Sequence, residues 1–174
     1  MPKIVNKDEK IDYICEEAYK VFVDVGIDDF SLNKFISDIN MSKGQFYHYF
    51  YTKEQLIYQV KSKKAFELMN NIKEKYKYEE SYIYKINLIF EIYLNEEKSF
   101  RDLRKLYINT FHMYVTSSDD EIKKFNNNVY KDIFDSLEQI FDDEIQKGNF
   151  HLDSKNLAKS LCATADGMFL LSVM

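Results

Sequence analysis

Residues 31–56, SLNKFISDINMSKGQFYHYFYTKEQL, contain three closely spaced helix-start signals. Ser31, Ser42 and Thr52 are of the residue types that most often cap helix N-termini. After Ser31, apolar residues recur at spacings of three and four: Leu32, Phe35, Ile36 and Ile39. This spacing predicts a short amphipathic helix. Asn40 then falls in a turn, where a residue that tolerates left-handed backbone is needed. The stretch therefore predicts two short helices joined by a tight turn and followed by a third helix.

The second short helix begins at Lys43 and carries side chains that suit a DNA duplex. Lys43 and Gln45 can reach base edges in the major groove, and Gly44 has no side chain to hold the backbone away. The free amides at the helix N-terminus favour phosphate. Phe46 and Phe50, one turn apart, are expected to anchor the helix to the core. The pattern indicates a DNA-binding helix-turn-helix.

The charge distribution supports this interpretation, although the chain has a net charge of −5. Residues 31–64 carry +4, because six lysines stand against Asp38 and Glu54, and the rest of the chain carries −9. The lysines are Lys34, Lys43, Lys53, Lys61, Lys63 and Lys64. A basic patch on an acidic body predicts binding through one face that weakens with salt. Lys53 opposes the macrodipole of the helix that it begins, and a DNA phosphate would offset this.

Several motifs in this region resemble the signature of the TetR family of bacterial transcriptional regulators. They are Ile36, Ile39-Asn40-Met41-Ser42-Lys43-Gly44, Phe46-Tyr47-His48-Tyr49-Phe50, Thr52-Lys53-Glu54 and Leu56. The resemblance covers roughly the first 60 residues. It implies that Ser42 to Tyr49 form the recognition helix, that Tyr47 and Lys53 contact phosphates, and that Lys43, Gly44, Gln45 and His48 face bases. The predicted DNA-binding set is Ser31, Ser42, Lys43, Gly44, Gln45, Tyr47, His48, Tyr49 and Lys53.

Three positions depart from the family pattern. Ser37 stands where the family usually has Ala, and Asn40 where it usually has Gly. Both replacements are compatible with their places in the fold. Gln45 stands where the family has a small residue or Thr, so the operator sequence of relatives does not transfer to this chain.

The composition predicts an all-α protein. Only one Pro and four Gly occur among 174 residues, and 45% of the residues are hydrophobic. Cys15 and Cys162 are too few and too far apart for a disulfide framework or a zinc site, so both are interpreted as buried thiols. The sequence shows neither a leader peptide nor an apolar run long enough to span a bilayer, which predicts a cytoplasmic protein without membrane contact.

Apolar periodicity predicts the remaining helices. They cover residues 8–25 up to Gly26, 54–76, 81–97, 100–117, a stretch of some 25 residues that ends at Gly148, and a last helix capped by Asp153 or Ser154. The helix from Glu54 is long enough to connect a DNA-binding domain, residues 1–52, to a ligand-binding and dimerisation domain, residues 53–174. Val25 and Phe66 are assigned to inward-facing stripes, and Asp142 to Glu144 to a solvated face.

The two middle helices are rich in aromatic residues, which predicts either plain core or the lining of a cavity. The candidate ligand-binding residues are Phe90, Tyr93, Tyr107, Phe111, His112 and Met113. Arg101 and Arg104 are placed to hold an anionic effector or to pair with Asp102 or Glu97. No cofactor and no metal site are predicted.

The last helix is apolar around much of its circumference, which predicts a homodimer. Leu161, Ala165, Met168 and Phe169 are the candidate interface residues, and the family resemblance implies a four-helix bundle with the partner. The sequence lacks phosphate-loop, nucleophile and metal-ligand motifs, so an enzyme is not predicted. We therefore expect a repressor that binds a palindromic double-stranded DNA operator and is released by a small apolar or aromatic effector. The alternative is a helical interaction protein or ligand sensor of the same fold without DNA binding.

Overall fold

The chain is α-helical throughout the part that the structure describes. The computed structural model describes residues 6–116, 120–150 and 153–172, without the side chains of residues 112–114, 121, 125 and 126. Nine helices lie in these ranges: α1 Lys7–Val25, α2 Leu32–Asp38, α3 Lys43–Tyr47, α4 Lys53–Tyr76, α5 Tyr82–Ile89, α6 Glu91–Leu94, α7 Lys98–Thr116, α8 Asp120–Gln146 and α9 Ser154–Ser172. The predicted all-α class is confirmed.

The chain forms two compact units. The first unit comprises Met1–Lys64 and Lys105–Phe125, and the second comprises Ala65–Arg104 and Asn126–Met174. The first unit contains all of the predicted DNA-binding domain, residues 1–52. Helix α4 begins in the first unit and ends in the second without interruption, as predicted for a connector.

Helix ends in the first unit follow the predicted capping signals. Gly26 ends α1 at φ 85° and donates its N–H to the carbonyl of Phe22 at 3.0 Å. Asn40 is the one described non-glycine residue with positive φ, at 53°, so the predicted left-handed turn is confirmed. The Thr52 hydroxyl accepts a hydrogen bond from the backbone N–H of Gln55 at 3.0 Å and thereby caps α4.

A chain of phenylalanine rings forms the centre of the first unit. Successive ring centres lie 4.7, 5.3, 6.5 and 5.6 Å apart along Phe22, Phe30, Phe35, Phe46 and Phe50. Edge-to-face and tilted pairs at these distances are favourable because the positive ring edge meets the negative ring face. The rings come from α1, α2 and α3 and from the residues just before α2 and after α3, so they fix the two short helices to α1.

The second unit has its own apolar core, built from α4, α5, α8 and α9. Its buried members are Met69, Ile72, Leu88, Ile89, Leu137, Ile140, Phe141, Ala158 and Cys162. One carboxylate ties three of its helices together: the hydroxyl of Tyr93 on α6 donates to Asp166 on α9, and the hydroxyl of Tyr130 on α8 donates to the other oxygen at 2.7 Å. Arg104 donates to the carbonyls of Ile92 and Asn95 and so holds the end of α6.

Several predicted side-chain environments are wrong. Phe66 and Val25, assigned to inward stripes, are 61% and 45% exposed. Glu144, assigned to a solvated face, is 4% exposed because its carboxylate accepts hydrogen bonds from Lys147 and Asn149 at 2.6 Å each. The predicted helix over 81–97 is interrupted at Phe90. Arg101 donates to the backbone carbonyl of Glu96, whereas Arg104 donates to the Glu96 carboxylate and to the carbonyls of Ile92 and Asn95. The predicted partners were Asp102 or Glu97.

Candidate nucleic-acid interface

The helix-turn-helix places α3 by capping its N-terminus and burying one side. The Ser42 hydroxyl accepts from the backbone N–H of Gln45 at 3.2 Å, and the Gln45 side-chain oxygen accepts from the backbone N–H of Ser42 at 2.9 Å. This reciprocal pair is a capping box, which satisfies two otherwise unpaired amides. Phe46 is fully buried and Phe50 is 4% exposed, both in the phenylalanine core. The α3 backbone is therefore fixed from its first residue.

The opposite side of α3 is exposed to solvent. Lys43, Gly44, Gln45, Tyr47 and His48 are all exposed, and Tyr47 shows 43% of its surface. Lys43 lies one turn before Tyr47, and Gly44 lies one turn before His48. Because residues one turn apart lie on the same side of a helix, these residues share a surface. The structure thus brings together the positions that the resemblance assigns to bases and to one phosphate.

Two other residues predicted for DNA are placed differently. Tyr49 is half-buried and packs against the core of the first unit. Ser31 is exposed, but its hydroxyl caps α2 by accepting from the backbone N–H of Lys34 at 3.5 Å. Their side chains have structural roles in the free protein, and their contact with DNA stays a prediction.

Gly44 has no steric reason to be glycine in the free protein. A methyl group built at this position meets nothing within 4 Å, and the residue does not adopt positive φ. Glycine inside a helix costs roughly 0.5 to 1 kcal/mol relative to Ala. Its presence on the exposed side of α3 suits the close approach of a partner to the helix backbone.

Lys53 already has partners within the protein. Its Nζ donates to the carbonyls of Ile27 and Phe30 at 3.0 Å each and lies 5.5 Å from the centre of the Phe30 ring. These carbonyls supply the partial negative charge that the sequence analysis expected from a phosphate. Two of the three N–H donors of the ammonium are thereby occupied, so Lys53 clamps the connection between α1 and α2.

Half of the predicted basic patch is also used internally. Lys63 pairs with Asp12 at 2.9 Å and with Glu16 at 3.2 Å, and Lys64 pairs with Glu16 at 2.9 Å. Although burial raises the pKa of Glu16, hydrogen bonds from Lys64 and Lys63 lower it overall. Lys61 lies 5.3 Å from the centre of the Tyr107 ring. The partners of these lysines, from α1 and α7, are distant in sequence, which is why charge counting missed them.

The lysines of the patch nearest to α3 remain at the surface. Lys34 and Lys43 are both exposed. Tyr51, which the sequence analysis did not select, follows α3 and is 76% exposed. Its position between the core residue Phe50 and the cap Thr52, outside the apolar stripe, was the available signal in the sequence. The exposed surface of Lys34, Lys43, Tyr47, His48 and Tyr51 is called the α3 surface below.

The candidate ligand-binding residues form two separate pairs. The rings of Phe90 and Tyr93 are stacked with centres 6.2 Å apart in the second unit. The rings of Tyr107 and Phe111 lie 6.3 Å apart in the first unit. The side chains of His112 and Met113 lie outside the described part of the chain. No local sequence pattern indicates Asp166 as the acceptor for Tyr93, because the two residues are 73 positions apart.

The candidate interface residues on α9 differ in exposure. Met168 is 67% exposed, and Leu171, three residues further on, is 72% exposed. Leu161 is half-buried and packs against the core of the second unit, and Ala165 is half-buried. Phe169 is 8% exposed, and its ring centre lies 5.0 Å from that of Tyr93. In the single chain, therefore, Met168 and Leu171 are the exposed large apolar residues in the described part of α9, whereas Phe169 belongs to the core.

Metal-binding, membrane-spanning and reactive-thiol features are a separate question from the α3 surface. Among the described residues, no group of three His, Cys, Asp or Glu side chains is arranged to hold a metal ion. No described helix is long and apolar enough to cross a membrane. Cys15 and Cys162 are buried free thiols, as predicted, and burial raises the pKa of each to about 12.

Comparison with solved structures identifies the fold. A candidate transcriptional regulator of Saccharomonospora viridis in complex with choline is 15% identical, with a TM-score of 0.78 over 94% of this chain and 84% of that one. The regulator FadR of Bacillus subtilis in complex with stearoyl-CoA is 22% identical, with a TM-score of 0.69 over 92% and 86%. A TetR-family regulator of Pectobacterium atrosepticum is 17% identical, with a TM-score of 0.77 over 97% and 84%.

Comparison of sequences identifies the amino-terminal region. No curated protein matches the chain. Residues 14–60, from α1 to the first turns of α4, match the model of the bacterial regulatory proteins of the tetR family. This range contains the capping box, the phenylalanine core and the α3 surface. Over residues 14–60 the chain is thus similar to the tetR family of bacterial regulatory proteins, and the fold of the chain is shared with regulators of known structure.

Proposed function

We propose that the protein is a sequence-specific DNA-binding repressor of transcription that acts as a homodimer on a palindromic operator. Residues 1–52 are proposed as the DNA-binding domain, and residues 53–174 as the ligand-binding and dimerisation domain. The observation that carries this proposal is the α3 surface: Lys43, Tyr47 and His48 are exposed on a helix that Phe46 and the capping box hold in place. A rigid helix with exposed cationic, aromatic and hydrogen-bonding side chains suits the major groove.

The rival hypothesis of an interaction protein without DNA binding accounts less well for Gly44. A protein that only displayed this fold to other proteins would gain stability from alanine at an open helical position. An enzyme is also less well supported, since the sequence lacks a nucleophile motif and no group of described His, Cys, Asp or Glu side chains could hold a metal ion.

The DNA-binding proposal is tested by selecting duplexes from a random pool with the full chain. The expected result is enrichment of a palindrome with half-sites about one helical turn, roughly 34 to 36 Å, apart. Fluorescence anisotropy then gives the affinity and its salt dependence for the selected duplex and for a scrambled one. Tyr47→Ala is expected to weaken both complexes alike and to leave the salt slope nearly unchanged, because a neutral phenol that positions a phosphate releases no counterion. Lys159→Met, an exposed change on α9, is the control. Failure to enrich any sequence would contradict the proposal.

The role of Gln45 needs a variant that separates base recognition from capping. Gln45→Glu keeps a side-chain oxygen for the backbone N–H of Ser42 but removes the amide donors that a base would accept. If Gln45 recognises a base, Gln45→Glu changes the preferred base at one position per half-site and leaves the unfolding midpoint nearly unchanged. A preference profile identical to that of the unchanged chain would restrict Gln45 to capping.

Control by a small effector is the second part of the proposal. Structural neighbours hold choline and stearoyl-CoA, so the shared fold accommodates ligands of different chemistry. For this chain we propose a mainly apolar or aromatic effector that contacts either the Phe90–Tyr93 pair of the second unit or the Tyr107–Phe111 pair of the first. An effector that lowers DNA affinity 10- to 100-fold must favour the DNA-free state by about 1.4 to 2.8 kcal/mol.

The effector proposal is tested by native mass spectrometry of the purified chain, followed by anisotropy with any retained compound. The compound is expected to release the selected duplex, and the variant of the pair that it contacts, Tyr93→Ala or Phe111→Ala, is expected to weaken that response. A compound that binds but leaves DNA affinity unchanged would argue against effector control, while DNA recognition itself would stand.

A further inference from the structure

A cleft in the second unit lies beside the carboxyl end of α4. Its volume is about 210 Å³, and it is formed by the end of α4 with the residue after it, by α5 and by α8. Its lining includes Tyr76, Lys77, Lys85, Gln139, Ile140 and Asp143. None of the four aromatic residues proposed for the effector lines it. The cleft is therefore a separate candidate site.

The cleft has a buried apolar floor and a polar rim. Ile140 is 4% exposed and forms part of the core. Ser136 also lines the cleft, but its hydroxyl donates to the carbonyl of Asp132 at 2.8 Å and so is satisfied within α8. Lys77, Gln139 and Asp143 are exposed, and Lys85 is half-buried. An apolar floor with a few convergent polar groups is the usual composition of a small-molecule site.

At the cleft, the ion pairing between α4 and α8 stops. One turn earlier on each helix, Lys73 of α4 reaches Asp132 of α8 at 3.7 Å. One turn later, Lys77 and Ser136 both line the cleft, so no acid of α8 occupies the equivalent position. The ammonium of Lys77 lies 5.5 Å from the centre of the Tyr78 ring. The direct ion pair between these helices is thus replaced by a cavity with a lysine on its rim.

Lys85 adds a second positive charge from α5. It forms no ion pair with the carboxylates of the described residues. Glu144 interacts with Lys85 only through its charge, because its carboxylate accepts hydrogen bonds from Lys147 and Asn149. With Lys77, Lys85 and Asp143, the lining carries two positive charges and one negative charge at neutral pH. An anionic group is therefore favoured near the lysines, and a hydrogen-bond donor near Asp143.

We propose that this cleft binds a small carboxylate that also carries a hydroxyl or ammonium group. Lys85 and Lys77 hold the carboxylate, and Asp143 and Gln139 accept hydrogen bonds from the second group. The volume equals that of about seven water molecules at ~30 Å³ each. It is smaller than the ~300 to 1,000 Å³ of drug-sized pockets, so the ligand is a small metabolite. The site goes beyond the proposed DNA recognition and does not depend on it.

The experiment is isothermal titration of the full chain, without DNA, with four probes: L-malate, L-glutamate, succinate and inorganic phosphate. Saturable binding of malate or glutamate is expected to exceed that of succinate and phosphate, and to weaken with salt. Lys85→Met is expected to weaken binding about ten- to hundredfold, because a charged hydrogen-bond partner is lost. Lys159→Met, the same change at an exposed site outside the cleft, should leave binding unaltered.

Asp143→Asn tests the second contact. It is expected to remove the advantage of malate or glutamate over succinate, since the carboxylate that accepts from the hydroxyl or ammonium group is neutralised. Circular dichroism checks that each variant is folded. If Lys85→Met does not fold, Lys77→Met on the exposed rim replaces it in the test. Equal binding of all four probes, binding of none, or equal effects of Lys85→Met and Lys159→Met would overturn the proposal. None of these results bears on the selected-duplex experiment.

Discussion

At the scale of single residues, lysines of the helix-turn-helix region differ more in role than their spacing indicates. Lys43 is exposed on α3, whereas Lys53 donates to two backbone carbonyls beneath the α1–α2 connection. Sequence patterns located both lysines correctly at helix starts. They did not distinguish a surface cation from an internal clamp, because the carbonyls of Ile27 and Phe30 belong to a distant segment. A charge count therefore overestimates the basic surface available to DNA.

Substitution at the two lysines should separate stability from DNA affinity. Lys53→Met is expected to lower the free energy of unfolding by about 1 to 3 kcal/mol, because two buried carbonyls lose a charged donor. Lys43→Met should leave the free energy of unfolding within about 0.5 kcal/mol of the value for the unchanged chain, since it changes an exposed residue. Urea unfolding of both variants provides the measurement. Equal midpoints for the two variants would contradict the clamp, whatever their DNA affinities.

The two buried thiols are expected to lower the stability of the fold as the pH rises into the alkaline range. Burial raises the pKa of Cys15 and Cys162 from 9.0 to about 12 in the folded state. Between these values the unfolded chain loses thiol protons that the native chain keeps, so the native state is increasingly disfavoured as pH rises. The expected loss is about 1.4 kcal/mol per pH unit for each thiol.

The measurement compares urea midpoints of the unchanged chain and of Cys162→Ala at several pH values from about 8 to about 11. The variant is expected to lose stability at every pH, because a buried side chain is shortened. Its dependence on pH above 9 should nevertheless be shallower by the contribution of one thiol. Parallel pH profiles for the two proteins would show that Cys162 ionises equally in the folded and unfolded chains.

At the scale of elements, local signals predicted the helices well and the buried faces less well. Capping and turn residues act on their immediate neighbours, so such a residue and three or four positions around it were sufficient to predict a helix end. The examples are Asn40, Ser42, Thr52 and Gly148. Burial depends on which segments meet. Phe66 satisfies the helical spacing of α4 but is 61% exposed, and the interruption at Phe90 follows no glycine or proline. Periodicity identifies a helix without identifying what packs against it.

Glycine in α3 gives an element-scale prediction in which stability and function change in opposite directions. Gly44→Ala is expected to raise the free energy of unfolding by roughly 0.5 to 1 kcal/mol, because the position is helical and the added methyl group meets nothing. The same methyl group is expected to weaken binding of the selected duplex, since it stands between the α3 backbone and the groove. Thermal unfolding and anisotropy measure the two effects. A variant that is both more stable and equally tight in DNA binding would remove Gly44 from the interface.

At the scale of the whole molecule, the two compact units have different relations to the comparisons. The family match over residues 14–60 lies inside the first unit, whereas the fold match extends over nearly the full chain. The sequence accordingly predicted α3 and its caps in detail but left open which aromatic residues of the second unit contact a ligand. Helix signatures recur across a family. The pairing of Tyr93 and Tyr130 with Asp166 arises only when three helices meet, so no local pattern indicates it.

Dimerisation provides the prediction that involves the entire molecule. Exposed Met168 and Leu171 lie one turn apart on α9, and burying such apolar side chains in a partner supplies part of the driving force for association. The double variant Met168→Glu, Leu171→Glu is expected to shift the protein towards monomer at micromolar concentration. Affinity for the palindrome should fall with it, because a monomer contacts one half-site. Phe169→Glu is unsuitable, since Phe169 packs on Tyr93 within the same chain.

Sedimentation velocity of the double variant, with Val25→Glu as the control, decides between a dimer through α9 and other arrangements. Val25 is an exposed apolar residue of the first unit, so the control introduces a glutamate without changing α9. If the interface is on α9, only the double variant dissociates, and its residual DNA binding resembles that of the unchanged chain on a single half-site. If both variants remain dimeric, association uses another surface, and the spacing of the half-sites would have to be explained from that surface instead.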